Sequence, residues 1–490
     1  MRTKPMLPVV SLAALLALAV AWPWSTAADE TDKDKGRPPA APTKAGSAGK
    51  DNKGTVLAIV GGDVYTVTHE VIRNGTVLVQ DGKIVRVGQD LAIPEGATVL
   101  DAKGKYVTPG FVALSMAGVG VRGAGPGPGG PVTPAPTRGG GKLADSLDPF
   151  DRNIKFCLGV GITTGCVEVA GGGRRRFGRD EKDDTQVCPC CGLAILPTEP
   201  IRPRAPTAPT PRPQAVRKMA YGDLDAMLVK EGPFHHIPGT GLAGALNRYN
   251  WRENVRQARK YLDELAAHEK SVKAGGATRP PRKTVSDELI QLVKKEIALR
   301  TDASSVTQIR DMIKLAKELD YKLVLEDAHE AWLLADELAK AKVAVVLTPR
   351  ARRQPAPGRE DASGSSIETS AHLEKAGVPF AVATQMKTVS LDGVYGGRDL
   401  TGLALEAAFA VRGGCSEQTA LAGLTIVPAR VLGLEGRIGS IEEGKDADLL
   451  ILNGPPLDYR THVQTALIRG KVYYDHDRDR LYPTHGRDKR

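Results

Sequence analysis

The chain has 490 residues, of which 67 are lysine or arginine and 57 are aspartate or glutamate, so its formal net charge at pH 7 is +10. Hydrophobic residues make up 41% and charged residues 25%, which is ordinary for a globular protein and excludes a chain that is disordered throughout. The basic residues are scattered, and Arg174-Arg175-Arg176 is the one tight run. We therefore expect a solvated basic surface and no nucleic-acid partner.

The first 28 residues have the composition of an export signal. Arg2 and Lys4 precede an apolar run from Leu7 to Trp24, and residues 25–28 (Ser-Thr-Ala-Ala) offer small side chains for cleavage. The run is short for a membrane span and no comparable run follows it, so we expect no stable span after cleavage. An uncleaved anchor is the alternative. The sequence thus predicts an exported protein, periplasmic or secreted.

A short linker and a β region follow the signal. Residues 29–53 are rich in Lys, Asp, Gly, Pro and Ala, which predicts a disordered linker. Short strands between about residues 56 and 100 are separated by Asn74-Gly75 and Asp81-Gly82, dipeptides typical of hairpin turns. A second β region near the C-terminus contains the turn Arg469-Gly470-Lys471. Each end of the chain therefore contributes strands.

Strands and helices alternate in the second half of the chain. The pattern predicts a strand at Ile297–Arg300, a helix at Val306–Leu319, a strand at 322–325 and a helix at 330–340. The alternation continues to about residue 424. Short strands alternating with helices of this length favour a parallel sheet and a (β/α) barrel.

Two stretches interrupt this regular structure, at about residues 119–142 and 170–216, and we expect irregular insertions there. Gly118-x-Gly120-x-x-Gly123 has the spacing of a dinucleotide fingerprint, but no amphipathic helix follows to bind a pyrophosphate. We therefore expect no nucleotide cofactor. His235-His236 falls in a predicted loop, where a histidine pair is usually solvated.

Residues 107–118 (VTPGFVALSMAG) carry the first family resemblance. Side chains alternate along a strand, so Ala113, Ser115 and Ala117 share one face. The stretch resembles the first barrel strand of the amidohydrolase superfamily, which reads V-x-P-G-F-I-D-x-H-x-H. In that family the two histidines bind a metal ion, and here Ser115 and Ala117 stand in their places.

The C-terminal region carries a longer resemblance to the same family. Residues 425–434 (TIVPARVLGL) resemble its T-x-N-P-A-R-x-L-G-L, and residues 436–449 (GRIGSIEEGKDADL) resemble its G-x-I-G-S-I-E-x-G-K-D-A-D-L. The imidazolonepropionase-like branch is the best match. The resemblance implies a (β/α)8 TIM-like barrel over residues 109–424. It also implies a small composite β-sandwich built from residues 54–108 and 425–480, with the C-terminal motifs supplying its turns and strands.

The resemblance also places the family's other site residues at strand ends. Arg300 and Asp302 stand where relatives often carry a His-x-His pair, and Glu326 follows a strand where they carry a histidine. Gln385 replaces the aspartate that is the general base of the family. A hydrolytic zinc site needs about three protein ligands. The resemblance therefore implies that the family's divalent metal is absent.

A rebuilt site is the alternative to a lost one. Glu326, Asp327, His329 and Asp302 could bind a cation or form an acid/base pair. Their ordinary roles would be solvated loop charges, with Asp327 capping the helix around Glu330. We favour the ordinary roles.

A cysteine cluster lies inside the second insertion. Cys188-Pro-x-Cys191-Gly resembles a zinc knuckle, which supplies two of the four ligands that a tetrahedral zinc site needs. Disulfides are a competitor in an oxidising compartment. Bound zinc, disulfides and free thiols all stay open for the six cysteines, which are Cys157, Cys166, Cys188, Cys190, Cys191 and Cys415.

These observations leave two functions. The first is an exported amidohydrolase-family protein with a degenerate metal site and a binding or scaffold role, with a small molecule in the barrel mouth or a second copy of itself as partner. The second is an active hydrolase of C–N bonds in cyclic amides or related small molecules, acting through a rebuilt site. The fold is the same for both, so the site must decide between them.

Overall fold

The computed structural model describes residues 56–121, 147–168, 214–276, 279–389, 397–479 and 481. The signal at 1–28, the linker at 29–53, Cys188, Cys190 and Cys191, and most of both insertions lie outside the described residues, so those predictions stay predictions. In the part that is described, no helix is both long and apolar enough to cross a membrane.

Strands from both ends of the described chain share one sheet of eight strands. They are β1 (Leu57–Val64), β2 (Ile72–Gln80), β3 (Lys83–Gly88), β4 (Thr98–Asp101), β5 (Tyr106–Pro109), β15 (Leu449–Leu452), β16 (Val463–Ile468) and β17 (Lys471–Asp475). The order is β17-β16-β15-β5-β1-β2-β3, with β4 beside β1. The antiparallel pair of β5 and β15 joins the two ends, with Val107 opposite Ile451. We call this the terminal sheet. It is one sheet where a two-sheet sandwich was expected.

Two of the three predicted turns in this sheet are confirmed. Asp81 and Gly82 join β2 to β3 with φ of 52° and 78°, and Arg469-Gly470 joins β16 to β17. Positive φ at both central residues is the geometry of a tight hairpin turn. The turn predicted at Asn74-Gly75 is wrong, because both residues lie inside β2. A register shift opposite Gly62 accommodates the positive φ of Asn74 there.

The remaining strands form two arcs. The first contains β6 (Phe111–Met116) and β7 (Ile162–Glu168), which are parallel, and β8 (Gln214–Lys218) and β9 (Leu228–Glu231), which are antiparallel. The second contains β10 (His235–His236), β11 (Leu299–Asp302), β12 (Leu323–Glu326), β13 (Ala344–Leu347) and β14 (Phe380–Val382), all parallel. The parallel strands and the intervening helices fit a TIM-barrel-like α/β fold. A closed ring of eight strands is not seen among the described residues.

The helices follow the predicted alternation with strands. They are α1 (Arg152–Gly159), α2 (Leu224–Met227), α3 (Ala245–Lys273), α4 (Asp287–Val293), α5 (Val306–Glu318), α6 (Ala335–Lys340), α7 (Thr369–Lys375), α8 (Leu403–Arg412), α9 (Glu417–Leu424), α10 (Ile426–Val431) and α11 (His476–Asp479). Ser305 caps α5 in a capping box with Gln308, which satisfies backbone donors that the first turn cannot pair internally. Ser416 caps α9 in a similar way.

Two sequence-based assignments need correction. The predicted loop at His235-His236 is the strand β10, which pairs with Leu299 and Arg300 of β11. The first C-terminal motif was expected to supply turns and strands of the sandwich, yet Ile426–Val431 is the helix α10, with its apolar side chains buried. Pro428 is tolerated because it lies in the first turn of that helix.

Lys218 joins the first arc to the terminal sheet. Its side chain is fully buried, and Nζ donates to Asp446 at 2.8 Å and to Asp448 at 2.9 Å. Burial acts to raise the pKa of Asp446, but hydrogen bonds from Lys218 and Lys83 hold that pKa well below its usual range. The G-K-D-A-D motif therefore supplies the carboxylates of a buried junction.

Candidate active site at the barrel mouth

A cavity of about 250 Å³ lies where β6, β11, β12, β13 and β14 end. The carboxyl ends of parallel strands are where barrel proteins place their functional residues. Four of the predicted site residues line this cavity: Ser115, Arg300, Glu326 and Gln385. Asp327 and His329 line it as well. The fold therefore brings together residues that are up to 270 positions apart in the sequence (115 to 385).

Arg300 is the central charge of this cavity. Only 1% of the residue is exposed. Its Nη1 donates to the carbonyl of Leu114 at 2.8 Å, and Nη2 contacts both Ser115 Oγ and the Glu326 carboxylate. The guanidinium carbon lies 4.5 Å from the centre of the Phe234 ring. One orientation of the guanidinium is therefore fixed by four groups: the Leu114 carbonyl, the Ser115 hydroxyl, the Glu326 carboxylate and the Phe234 ring.

The residues present do not fit the divalent metal of the family. A guanidinium is permanently charged and carries only donors, so it cannot ligate a cation and it repels one. Arg300 contacts Ser115 directly, at the position where the resemblance predicts a metal-binding histidine. In the described residues, no group of three or more His, Cys, Asp and Glu side chains is arranged to bind a metal.

Glu326 balances the charge of Arg300. Only 7% of the residue is exposed, and the carboxylate pairs with the guanidinium while Lys387 Nζ lies 3.8 Å from its second oxygen. A buried carboxylate needs such partners, since removal from water costs several kcal/mol for an unpaired ion. Glu326 is therefore a partner of two cationic side chains.

Two of the predicted site residues lie away from the cavity lining. Ala117 has no donor atom in its side chain, and its backbone N–H donates to the carbonyl of Lys387 at 2.6 Å. That bond links the segment after β6 to the loop after β14. The Asp302 carboxylate accepts from the backbone N–H of Gly239 at 2.7 Å, so it fixes the loop after β10. Both residues position the backbone around the mouth.

The cap predicted from Asp327 is wrong, because neither the helical turn Ala331–Leu334 nor α6 has a side-chain cap. The Glu330 carboxylate accepts from the backbone N–H of Val306, at the start of α5, and from that of Gly364. Asp327 is exposed and has φ of 50°. Burial lowers the pKa of His329, and the Asp327 carboxylate opposes that shift. His329 is therefore a neutral imidazole near pH 7.

The structure adds site residues that the strand pattern did not indicate. Arg352 and Lys387 line the cavity from the loops after β13 and β14. Thr348 and Thr384 add hydroxyl groups at the ends of the same strands. The Arg-Ala-Arg-Arg run at 350–353, directly after a predicted strand, was the one available signal for this basic loop.

His235 is not solvated, which corrects the expectation for the histidine pair. Only 5% of the residue is exposed, and its ring stacks on Trp251 of α3 with centroids 5.5 Å apart. Burial lowers the pKa of His235 to about 4, against a small opposing effect of Glu288. The residue packs β10 against α3 as a neutral aromatic ring.

The described cysteines are buried, and two of them are free thiols. Burial raises the pKa of Cys157 to about 12 and that of Cys415 to about 11. A thiol with so high a pKa carries almost no thiolate near neutral pH, so it is a poor nucleophile and metal ligand. For these two positions the free-thiol alternative holds.

Comparison with known proteins agrees with this arrangement. The model of the amidohydrolase family matches residues 237–474. The solved structure of an amidohydrolase from Thermotoga maritima superposes with a TM-score of 0.57 and 25% identity, covering 86% of this chain and 100% of that one. Residues 237–474 of the chain belong to the amidohydrolase family. The matched range includes Arg300, Glu326 and Gln385.

Curated amidohydrolase relatives match over short stretches only. A dihydroorotase from Citrifermentans bemidjiense is 43% identical over 60 residues, which is 12% of this chain and 14% of that protein. A dihydroorotase from Mycobacterium tuberculosis is 58% identical over 38 residues, 8% of this chain and 9% of that protein. The chain thus matches about a seventh or less of the length of these relatives. The imidazolonepropionase-like branch stays a prediction.

Proposed function

We propose that this amidohydrolase-family protein is exported and binds a small molecule in its barrel mouth without metal-dependent hydrolysis. The observation that carries the proposal is the buried guanidinium of Arg300, which contacts Ser115 and Glu326. The cationic guanidinium of Arg300 lies where the resemblance to the family predicts metal ligands. A second, divalent cation at that place would meet like charge in a poorly hydrated setting.

The general base of the family chemistry is missing as well. Hydrolysis by this family uses a metal-activated water and a carboxylate that accepts its proton. At the base position the Gln385 side chain is an amide, which cannot accept a proton near neutral pH. Its carbonyl oxygen instead accepts a hydrogen bond from Arg398 at 3.1 Å. Loss of the base and the guanidinium at the metal position point to the same non-hydrolytic role.

A binding role fits the shape and lining of the cavity. Its volume of about 250 Å³ equals roughly eight water volumes. Arg300, Glu326 and Lys387 line it alongside Val346 and Leu403. A few convergent polar groups beside apolar side chains are typical of small-molecule sites.

Turnover assays test the proposal. We expect no hydrolysis of dihydroorotate or hydantoin above the buffer rate by the protein without its first 28 residues, with or without added zinc or manganese. Bovine serum albumin at equal concentration controls for adventitious metal. Metal-stimulated turnover that disappears in a correctly folded Glu326→Gln variant would overturn the proposal.

The export part of the proposal has its own test. The small residues at 25–28 follow an apolar run, so cleavage is expected after Ala28. Mass spectrometry of the protein recovered from the periplasm or the medium should find Asp29 as the N-terminal residue. An intact N-terminus in the membrane fraction would instead support the uncleaved anchor.

An active hydrolase with a rebuilt site is the second candidate. It is favoured by the short likeness to dihydroorotases and by the presence of Glu326, Asp327 and His329 around one cavity. Under this candidate a carboxylate and an imidazole would move protons during hydrolysis of a cyclic amide. The same turnover assay separates the two functions.

A further inference from the structure

We infer that the molecule bound in the barrel mouth is a small organic carboxylate, held at its charged end by Arg352 and Lys387. This inference rests on the proposed function and names the ligand class of the same cavity. Three observations carry it: the charge of the groups that line the cavity, the hydrogen bonds that fix the Arg352 loop, and the apolar side chains that also line the cavity.

Among the described residues, the charges that line the cavity do not cancel. The cationic groups are Arg300, Arg352 and Lys387, and the anionic groups are Glu326 and Asp327. Glu326 pairs with Arg300, and its second oxygen lies 3.8 Å from Lys387 Nζ. His329 adds no charge near pH 7, since burial lowers its pKa. The opening therefore has a net positive charge, which favours an anion.

The loop that carries Arg352 is fixed on both sides of that residue. The backbone N–H and Nε of Arg350 donate to the buried carboxylate of Glu406 at 3.0 and 2.9 Å. The backbone N–H of Arg353 donates to Ser365 Oγ at 2.8 Å. Within the described residues, Arg352 itself donates to the backbone carbonyls of Pro349 at 3.2 Å and Ala351 at 3.3 Å. A guanidinium on a fixed loop offers a preorganised fork for a carboxylate.

The rest of the cavity is suited to an organic body. Val346, Val382, Leu400 and Leu403 line it. Burying apolar carbon against such side chains contributes binding free energy in proportion to the area removed from water. An inorganic anion would leave this wall in contact with water. The lining therefore favours a carboxylate attached to a carbon skeleton.

Calorimetric titration with matched pairs of probes tests the inference. The protein without residues 1–28 is titrated at constant ionic strength. Glutarate is compared with glutaramide, and benzoate is compared with benzamide. Inorganic phosphate is the third ligand tested. We expect at least one carboxylate to bind saturably and about tenfold or more tighter than its amide and than phosphate. Arg352→Gln and Lys387→Gln should each weaken that binding about tenfold.

Two control variants separate the site from general charge effects. Arg359→Gln removes an exposed arginine of the same loop that does not line the cavity, and Lys317→Gln removes an exposed lysine of α5. Both should leave the affinity unchanged, and all four variants should keep the thermal midpoint of the parent protein in the absence of ligand.

Several results would overturn the inference. They are equal binding of acid and amide, binding of phosphate as tight as that of the carboxylates, no saturable binding of either carboxylate, or equal losses in Arg352→Gln and Arg359→Gln. Each of these results would reject an organic carboxylate as the ligand. None of them would bear on the proposed non-hydrolytic function, because turnover and metal content test that function separately.

Discussion

Arg300 and Glu326 form a buried ion pair whose side chains are only 1% and 9% exposed. Taking two charges out of water costs several kcal/mol for each ion, and their attraction and hydrogen bonds offset that cost. The carbonyl of Leu114 and the hydroxyl of Ser115 add acceptors for the guanidinium. Removing one charge of the pair should therefore lower the free energy of unfolding far more than replacing both residues by apolar ones.

The first prediction concerns this pair. Arg300→Met leaves Glu326 as a buried carboxylate without its guanidinium, and we expect the free energy of unfolding to fall by about 3–5 kcal/mol. Urea denaturation followed by circular dichroism measures this loss. The matched control is Arg310→Met, which breaks an ion pair with Glu337 whose side chains are 47% and 44% exposed and should leave the free energy of unfolding almost unchanged.

A double replacement checks the cause of the loss. Arg300→Met combined with Glu326→Leu removes both charges and should recover most of the stability lost in the single variant. If Arg300→Met costs no more than Arg310→Met, the pair is not the buried centre described above.

At the residue scale, the family motifs predicted some of the residues that line the cavity and missed others. Four lining residues could be predicted because each lies within or just after an apolar strand, at a position that the family resemblance indicates: Ser115, Arg300, Glu326 and Gln385. The resemblance placed Asp302 with them, but its carboxylate accepts from the Gly239 backbone instead. Arg352 lies on a loop, where no side-chain period applies.

At the scale of elements, a buried lysine joins β8 to the terminal sheet. Lys218→Met leaves Asp446 and Asp448 buried without the ammonium between them. We expect a loss of about 3–5 kcal/mol in the free energy of unfolding. Lys83→Met removes a half-exposed lysine from the same Asp446 and should cost about 0–1 kcal/mol. Equal losses in the two variants, measured by urea denaturation, would contradict a buried junction.

The contact of β10 with α3 predicts a pH dependence of stability. His235 has a pKa of about 4 in the folded protein and an ordinary value of 6.5. As pH falls below 6.5, the unfolded chain binds a proton that the folded protein does not, so stability decreases, by about 3 kcal/mol once pH is below 4.

The His235→Phe variant isolates this effect. Phenylalanine can keep the stacking on Trp251 and cannot titrate, so the decrease between pH 6.5 and pH 4 should be smaller by about 3 kcal/mol in the variant. Urea denaturation at several pH values gives both curves. Parallel curves for the parent and the variant would show that His235 is protonated as readily in the folded protein.

Element type was easier to predict than element boundaries. The period of apolar residues predicted a helix at Val306–Leu319, and α5 ends one residue earlier. Asn74-Gly75 misled, since a dipeptide typical of turns can also lie at a bulge within a strand. The α10 helix was missed because its motif was interpreted only through its family.

At the scale of the molecule, close backbone approaches explain why some glycines of the motifs are required. A Cβ at Gly110 would clash with the Thr163 side chain, next to the junction of β5 and β6. Gly439 has φ of 95°, and a Cβ there would lie 2.8 Å from the Cα of Ile426. Gly110 lies between β5 of the terminal sheet and β6, and Gly439 packs against the start of α10.

The way in which the strands are divided among sheets could not be predicted from the sequence. The α/β class and the pairing of both chain ends followed from local patterns and the family frame. The antiparallel β8 and β9 and the two separate arcs depend on pairing between strands far apart in the chain, which no local period encodes. The cysteine-rich insertion lies outside the described residues, and zinc there stays a prediction.

Metal content tests the central claim most directly. Elemental mass spectrometry is applied to the protein without residues 1–28 and to its Cys188→Ser/Cys191→Ser variant, both after dialysis against zinc and manganese. We expect no stoichiometric metal in the variant, since Arg300 occupies the mouth, and any zinc in the parent should be lost with the two cysteines. About one or two equivalents of metal that survive the double substitution would contradict the account.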